Sequence, residues 1–140
     1  MMGGNAQTAN RSEKADSMKV PERHRLPPTR SAIVHKFRVS GTKGYIRVGL
    51  YPDGSPGEVF LSVDKAGSTL QGLMDSFATL LSLSLQYGIP LAVIANKFRH
   101  VRFELAGFTS EKKIPSASSL IDYVFAWLEQ QFLKGETKAA

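Results

Sequence analysis

The chain has 140 residues, 18 Lys and Arg against 12 Asp and Glu for a formal net charge of +6, and no Cys. That length suits one domain, and the lack of Cys excludes disulfides, thiolate metal sites and thiol chemistry on these residues. No run reaches the ~18 apolar residues that span a bilayer and no signal-peptide apolar core opens the chain, so no membrane association and a cytoplasmic location are expected.

Residues 1–27 read as a disordered polar and basic tail, rich in Gly, Asn, Gln and Ser and ending in the stop signals Pro21 and Pro27-Pro28. Half of the net charge falls in the first 30 residues, so the basic character is spread along the chain. A globular unit is expected over 28–134, with a short second tail at 135–140. About 110 residues are enough for a single core without staples.

Ile33, His35, Phe37 and Val39 alternate with Val34, Lys36, Arg38 and Ser40, as a half-buried strand requires. Gly41-Thr42-Lys43-Gly44 turns the chain, and Tyr45 to Tyr51 alternates again with Ile46, Val48 and Leu50 on one face. Pro52-Asp53-Gly54-Ser55-Pro56-Gly57 is dense turn chemistry. Glu58 to Val63 completes an antiparallel meander.

Ser68 with Gln71 three residues on forms a capping-box pattern ahead of an apolar series. Leu70, Leu73, Met74, Phe77, Leu80, Leu81 and Leu85 share one wide face, with Gln71, Asp75, Thr79, Ser82 and Gln86 on the other. A central core helix is therefore expected from about Thr69 to Tyr87. On that reading, Phe77→Ala costs roughly 3–5 kcal/mol. Gly88 suits a left-handed C-terminal cap, and Pro90 opens a short helix through Ala95 or Lys97. Val101 to Glu104 reads as a short extra strand. Ser116 or Ser118 caps a last helix whose stripe is Leu120, Ile121, Val124, Trp127, Leu128 and Phe132. The fold class is α+β, a three-stranded antiparallel meander covered on one face by two main helices.

Little in this pattern converges on catalysis. His24, His35 and His100 are far apart, and none has a second His or a carboxylate at helical ligand spacing, so no metal site is assigned. His35 reads as a hydrogen-bonded histidine at the core edge. No G-x-S-x-G elbow occurs, and no catalytic residue is assigned. Lys65-Ala66-Gly67-Ser68-Thr69 is the one anion-site candidate, since a helix start offers unpaired N–H groups and Lys65 adds charge; ordinary capping accounts for the same residues. Lys36, Arg38, Lys43 and Arg47 lie near Tyr45 and Tyr51, a basic-aromatic combination that suits nucleotides or single-stranded nucleic acid. A solvated sheet face is the plainer reading of those residues.

His35-Lys36-Phe37, Val48-Gly49-Leu50-Tyr51, Pro56-Gly57-Glu58-Val59-Phe60, Gly67-Ser68-Thr69-Leu70 and Gly72-Leu73-Met74-Asp75 resemble a C-terminal region of adenosylcobalamin-dependent (class II) ribonucleotide reductases. Leu85-Gln86-Tyr87-Gly88, Arg102-Phe103-Glu104, Gly107-Phe108-Thr109 and Ile121-Asp122-Tyr123-Val124-Phe125 continue the likeness, which is to the TSCPD domain over about residues 28 to 133. In that family the radical chemistry belongs to a separate barrel bearing a cysteine thiyl radical, recharged by further cysteines. The resemblance implies a ribonucleoside-diphosphate reductase family, but without Cys this chain is expected to be inactive alone and to bind no cofactor itself. Adenosylcobalamin is implied for a catalytic partner. The expected role is a non-catalytic accessory domain docking on the class II reductase catalytic chain. Asp75, Thr79, Arg102 and Glu104 are its candidate contacts. The alternative is a small nucleotide- or nucleic-acid-binding module.

Overall fold

The structure, a computed structural model, describes residues 21–133. Strands β1 (Ala32–Val39), β2 (Thr42–Leu50) and β3 (Pro56–Val63) form an antiparallel sheet in chain order. Helices α1 (Ser68–Gln86), α2 (Leu91–Phe98) and α3 (Leu120–Phe132) follow, with a two-stranded ladder of β4 (Gly107–Phe108) and β5 (Ser116–Ala117) before the last helix. The α+β class and the meander are as expected. Ile46 stands opposite both His35 and Leu61, and Val48 opposite both Ile33 and Val59, which gathers the alternating apolar residues on one face. The first turn is tighter than the Gly41–Gly44 pattern suggests. Ser40 and Gly41, at φ 50° and 81°, make a two-residue hairpin turn whose twist matches the strands, and Thr42 already pairs with Val39.

The central helix is α3, not α1. Tyr123, Val124, Phe125 and Leu128 are all 0% exposed, and every residue from Leu120 to Leu128 is buried. On the sheet side, Tyr123 stacks on Phe37 with centroids 4.8 Å apart and Trp127 stacks on His35 at 4.6 Å. On the other side, Phe125 meets Phe98 at 5.3 Å and the edge of Phe77 at 6.1 Å. A helix apolar all round belongs in the interior, and α3 is covered by the aromatic residues of the sheet on one side and by Phe98 of α2 and Phe77 of α1 on the other.

The expected orientation of α1 holds for Met74 and Leu81, which are buried, and for Phe77 and Leu85, which pack against the core, and is corrected for the leucines beside them. Leu73 and Leu80 are each 64% exposed and Leu70 is 39% exposed, while Met74, Ala78, Leu81 and Gln86 are the buried positions. Of the stripe expected to be wet, Asp75 and Thr79 are exposed, while Gln71, Ser82 and Gln86 face the open edge of β3. Gln71 Nε2 donates to the Leu61 carbonyl at 3.2 Å, Ser82 Oγ accepts the Val59 N–H at 2.8 Å, and Gln86 Nε2 donates to the Gly57 carbonyl at 2.9 Å. Asp75 Oδ1 steadies Gln71 by accepting from its amide at 2.8 Å. An outer strand leaves backbone groups unpaired, and a buried unpaired group is costly. Polar side chains on α1 complete the ladder where a fourth strand would stand.

Several local expectations shift for similar reasons. The capping box does not form: Gly67 is the N-cap, no side chain caps it, and the Gln71 amide is engaged by Leu61 and Asp75. Gly88 does close α1, at φ 92°. Ser119 rather than Ser116 or Ser118 caps α3, its Oγ accepting the Asp122 N–H at 3.0 Å. No strand forms at Val101–Glu104; the extra pairing comes later, at β4–β5 and the Val39–Thr109 bridge. The chain before residue 28 was expected to stand clear of the core, yet residues 21–27 strap onto it. The His24 N–H donates to the Gln86 carbonyl at 2.9 Å, Arg23 Nε to Gln86 Oε1 at 2.8 Å, and the Tyr51 hydroxyl to the His24 carbonyl. Residues 1–20 of the expected tail, and the tail at 135–140, lie outside the described residues.

Candidate functional site

Lys65 sits in the link from β3 to α1 at φ 59° and lines an open cleft of about 740 Å³ with Arg38, Lys43, Asp64, Leu70 and Glu104. Lys43 Nζ is ion-paired with Asp64 Oδ2 at 3.3 Å. Gly67, Ser68 and Thr69 are exposed at the helix start and do not line this cleft. The structure thus joins Lys65 to Glu104, which stand far apart in sequence. Asp75 and Thr79 line a different cavity of about 380 Å³, beside Arg23, Phe60, Ser82 and Gln86. Arg102 is exposed in the loop after α2. The four contact candidates are thus not gathered in one cavity. Among the described residues, no group of His, Asp or Glu is placed to hold a metal ion.

One polar centre was missed in the sequence. The buried Asp122 carboxylate accepts from the backbone N–H of Ser118 at 2.8 Å and of His100 at 2.7 Å, and from Arg99 Nη1. Arg99 Nε also bonds Glu129 Oε1 at 2.9 Å. Burial works to raise the Asp122 pKa, but the two N–H donors and the Arg99 guanidinium outweigh it and hold the carboxyl below its ordinary range. The centre ties the loop after α2 to the first turn of α3. Ser119-Leu120-Ile121-Asp122 is itself an S-x-x-D capping signature, and it marks the true start of α3.

Residues 17–132 match the family model of the TSCPD domain. The chain belongs to the TSCPD-domain family. The match begins before residue 28, in keeping with the strap at 21–27. The chain is 55% identical over 115 residues to a vitamin B12-dependent ribonucleotide reductase of Rhodopirellula baltica, covering 82% of this chain and 11% of that protein. It is 46% identical over 120 residues to the protein of that name from Streptantibioticus cattleyicolor, covering 86% of this chain and 20% of the other. For Agrobacterium fabrum the identity is 39% over 113 residues, covering 80% and 9%. The chain therefore spans between about a tenth and a fifth of these relatives. No solved structure matches it. No helix among the described residues is long and apolar enough to cross a membrane.

The TSCPD domain also holds a titratable pair, half-buried His35 against buried Tyr123. His35 Nε2 lies 2.8 Å from the Tyr123 hydroxyl, as the core-edge reading of His35 anticipates, and both rings stack among Phe37 and Trp127. Burial lowers the His35 pKa below 6.5, partly offset by Glu111, and burial raises that of Tyr123. Folded His35 thus binds protons less readily than unfolded His35. Its contribution to stability is present above pH 6.5 and is lost as pH falls through the folded value. Urea unfolding is expected to show stability declining as the solution is acidified below pH 6.5, with a shallower decline in His35→Phe. Equal declines in the two proteins would assign that pH dependence to other groups.

Proposed function

We propose that this TSCPD domain is a non-catalytic accessory unit of an adenosylcobalamin-dependent (class II) ribonucleotide reductase, serving DNA precursor synthesis in the cytoplasm. It docks on the cysteine-bearing catalytic chain, either as a separate polypeptide or as one segment of a longer one. The observation that carries this reading is the identity, 55% over 82% of the chain, with only 11% of a vitamin B12-dependent ribonucleotide reductase. The rest of such a protein has room for chemistry that a chain without Cys does not perform. A second support is the outward row on α1. Leu70, Leu73 and Leu80 are 39%, 64% and 64% exposed, and an exposed row of large apolar side chains suits a protein interface.

Adenosylcobalamin supplies the radical chemistry in this family, and the cleft at Lys65 does not fit it. The cleft of about 740 Å³ is open and walled by the charged side chains of Arg38, Lys43, Asp64, Lys65 and Glu104, not an enclosed apolar site for a corrin ring. In this reading the cofactor belongs to the catalytic chain.

Size-exclusion chromatography of the domain with the reductase catalytic chain, lacking any such segment of its own, is the direct test. Co-elution at micromolar concentration is expected, and its loss in Leu73→Asp/Leu80→Asp, which should remain folded because both positions are exposed. Separate elution with and without nucleotide and adenosylcobalamin would refute docking. The domain by itself is expected to form no deoxyribonucleotide with adenosylcobalamin and a dithiol.

A further inference from the structure

α3 covers the inner face of the sheet, while the outer face is largely open. By strand alternation it presents Lys36 and Arg38 from β1, Tyr45 and Arg47 from β2, and Phe60 from β3, all exposed. Register sets these in rows: Phe60 is opposite Arg47, Tyr45 opposite Lys36, and Arg38 opposite Lys43. Successive rows are about 6.6 Å apart along the strands. The Arg47 guanidinium lies over the Phe60 ring, its carbon 4.6 Å from the centroid, so cation and ring form one stacked pair. The second tyrosine expected on this face, Tyr51, is engaged by the strap instead, through the His24 carbonyl.

The charges on this face have one sign left over. Glu58, the outward carboxylate of β3, is held by Arg30 at 2.9 Å, and Asp64, just past β3, is held by Lys43 at 3.3 Å. Lys36, Arg38 and Arg47 form no ion pair among the described residues. Exposed cations alone or a single exposed ring would need no partner. Here rings and unpaired cations alternate on one flat surface. At one end, Arg38 and Lys43 lead into the cleft lined by Lys65.

We propose that the outer face of β1–β2–β3 binds single-stranded nucleic acid, with bases stacking on Tyr45 and on the Arg47–Phe60 pair and phosphates meeting Lys36 and Arg38. A second copy of this face would bring like charges together. A duplex offers phosphates but keeps its base faces stacked inside, so the two rings would go unused. An acidic protein segment would satisfy the cations without needing flat aromatic surfaces. This inference stands apart from the reductase reading, since it uses neither the α1 row nor a catalytic partner.

Fluorescence anisotropy tests it with a labelled oligothymidine of about 15 nucleotides, an oligouridine and a duplex of equal length. Single strands are expected to bind more tightly than the duplex, with affinity falling steeply between about 50 and 200 mM salt. Tyr45→Ala and Phe60→Ala should each weaken binding by about five- to a hundred-fold. Phe60→Leu keeps apolar bulk beside Arg47 but removes the flat face, so a loss there reads stacking and not unfolding. Lys36→Gln should lower the log–log salt slope by about 0.7. Leu80→Ala, on α1, should bind as the parent does. The proposal is overturned by flat titrations at low salt, by equal affinity for duplex, or by parental binding in folded Tyr45 and Phe60 variants.

Discussion

Phe125→Ala is expected to destabilise the domain by about 3–5 kcal/mol, a large part of the 5–15 kcal/mol that holds a small domain together. Phe125 is 0% exposed and closes the contact between α3 and the other two helices through Phe98 and Phe77. Removing its ring opens a cavity that three packed elements must share, and close-packed interiors relax only in part. The same truncation at Leu73 or Leu80 should change stability by no more than about 0.5 kcal/mol, because both side chains are already in water. Phe77→Ala should fall between, since that ring is only partly buried. Urea denaturation of the four variants, read by tryptophan fluorescence, orders them. A loss at Leu80 comparable to that at Phe125 would restore α1 to the centre and refute the layering.

Asp122→Ala is expected to cost about 3–5 kcal/mol through a different route, the stranding of buried donors. Asp122 is 3% exposed and is the acceptor for the Ser118 and His100 N–H groups and for Arg99. Without the carboxylate, two backbone donors lose their partner and the guanidinium loses its nearer counter-charge, though Glu129 still holds Nε. Arg99→Ala should cost much less, because its side chain is 28% exposed and water or backbone donors remain for Asp122. Thermal unfolding followed by circular dichroism decides the ranking. If Asp122→Ala melts within a degree or two of the parent, Asp122 is not what ties the loop after α2 to α3.

The meander was legible because strand alternation is a property of the chain alone. Ile46, Val48, Val59 and Leu61 face inward as their period-two pattern requires. The left-handed stop at Gly88 and the extent of α2 follow equally from local chemistry. The family was legible too, since ordered short matches accumulate without any tertiary knowledge.

Orientation was not legible. Seven large apolar residues on α1 define a face, but only the position of its neighbours determines which part of it is covered. β3 stands at the edge of the sheet with unpaired backbone groups, and Gln71, Ser82 and Gln86 can satisfy them while leucines cannot. Gln71, Ser82 and Gln86 therefore turn to β3, Met74, Ala78 and Leu81 are covered beside them, and Leu73 and Leu80 are left exposed. α3 shows the reverse. Asp122 and Tyr123 make its sequence look less apolar than a central helix should, yet the N–H groups of Ser118 and His100 and the ring of His35 supply their partners. Periodicity measures where apolar groups lie on one element. Which element is central depends on where partners for the polar groups are found, and those partners are distant in sequence.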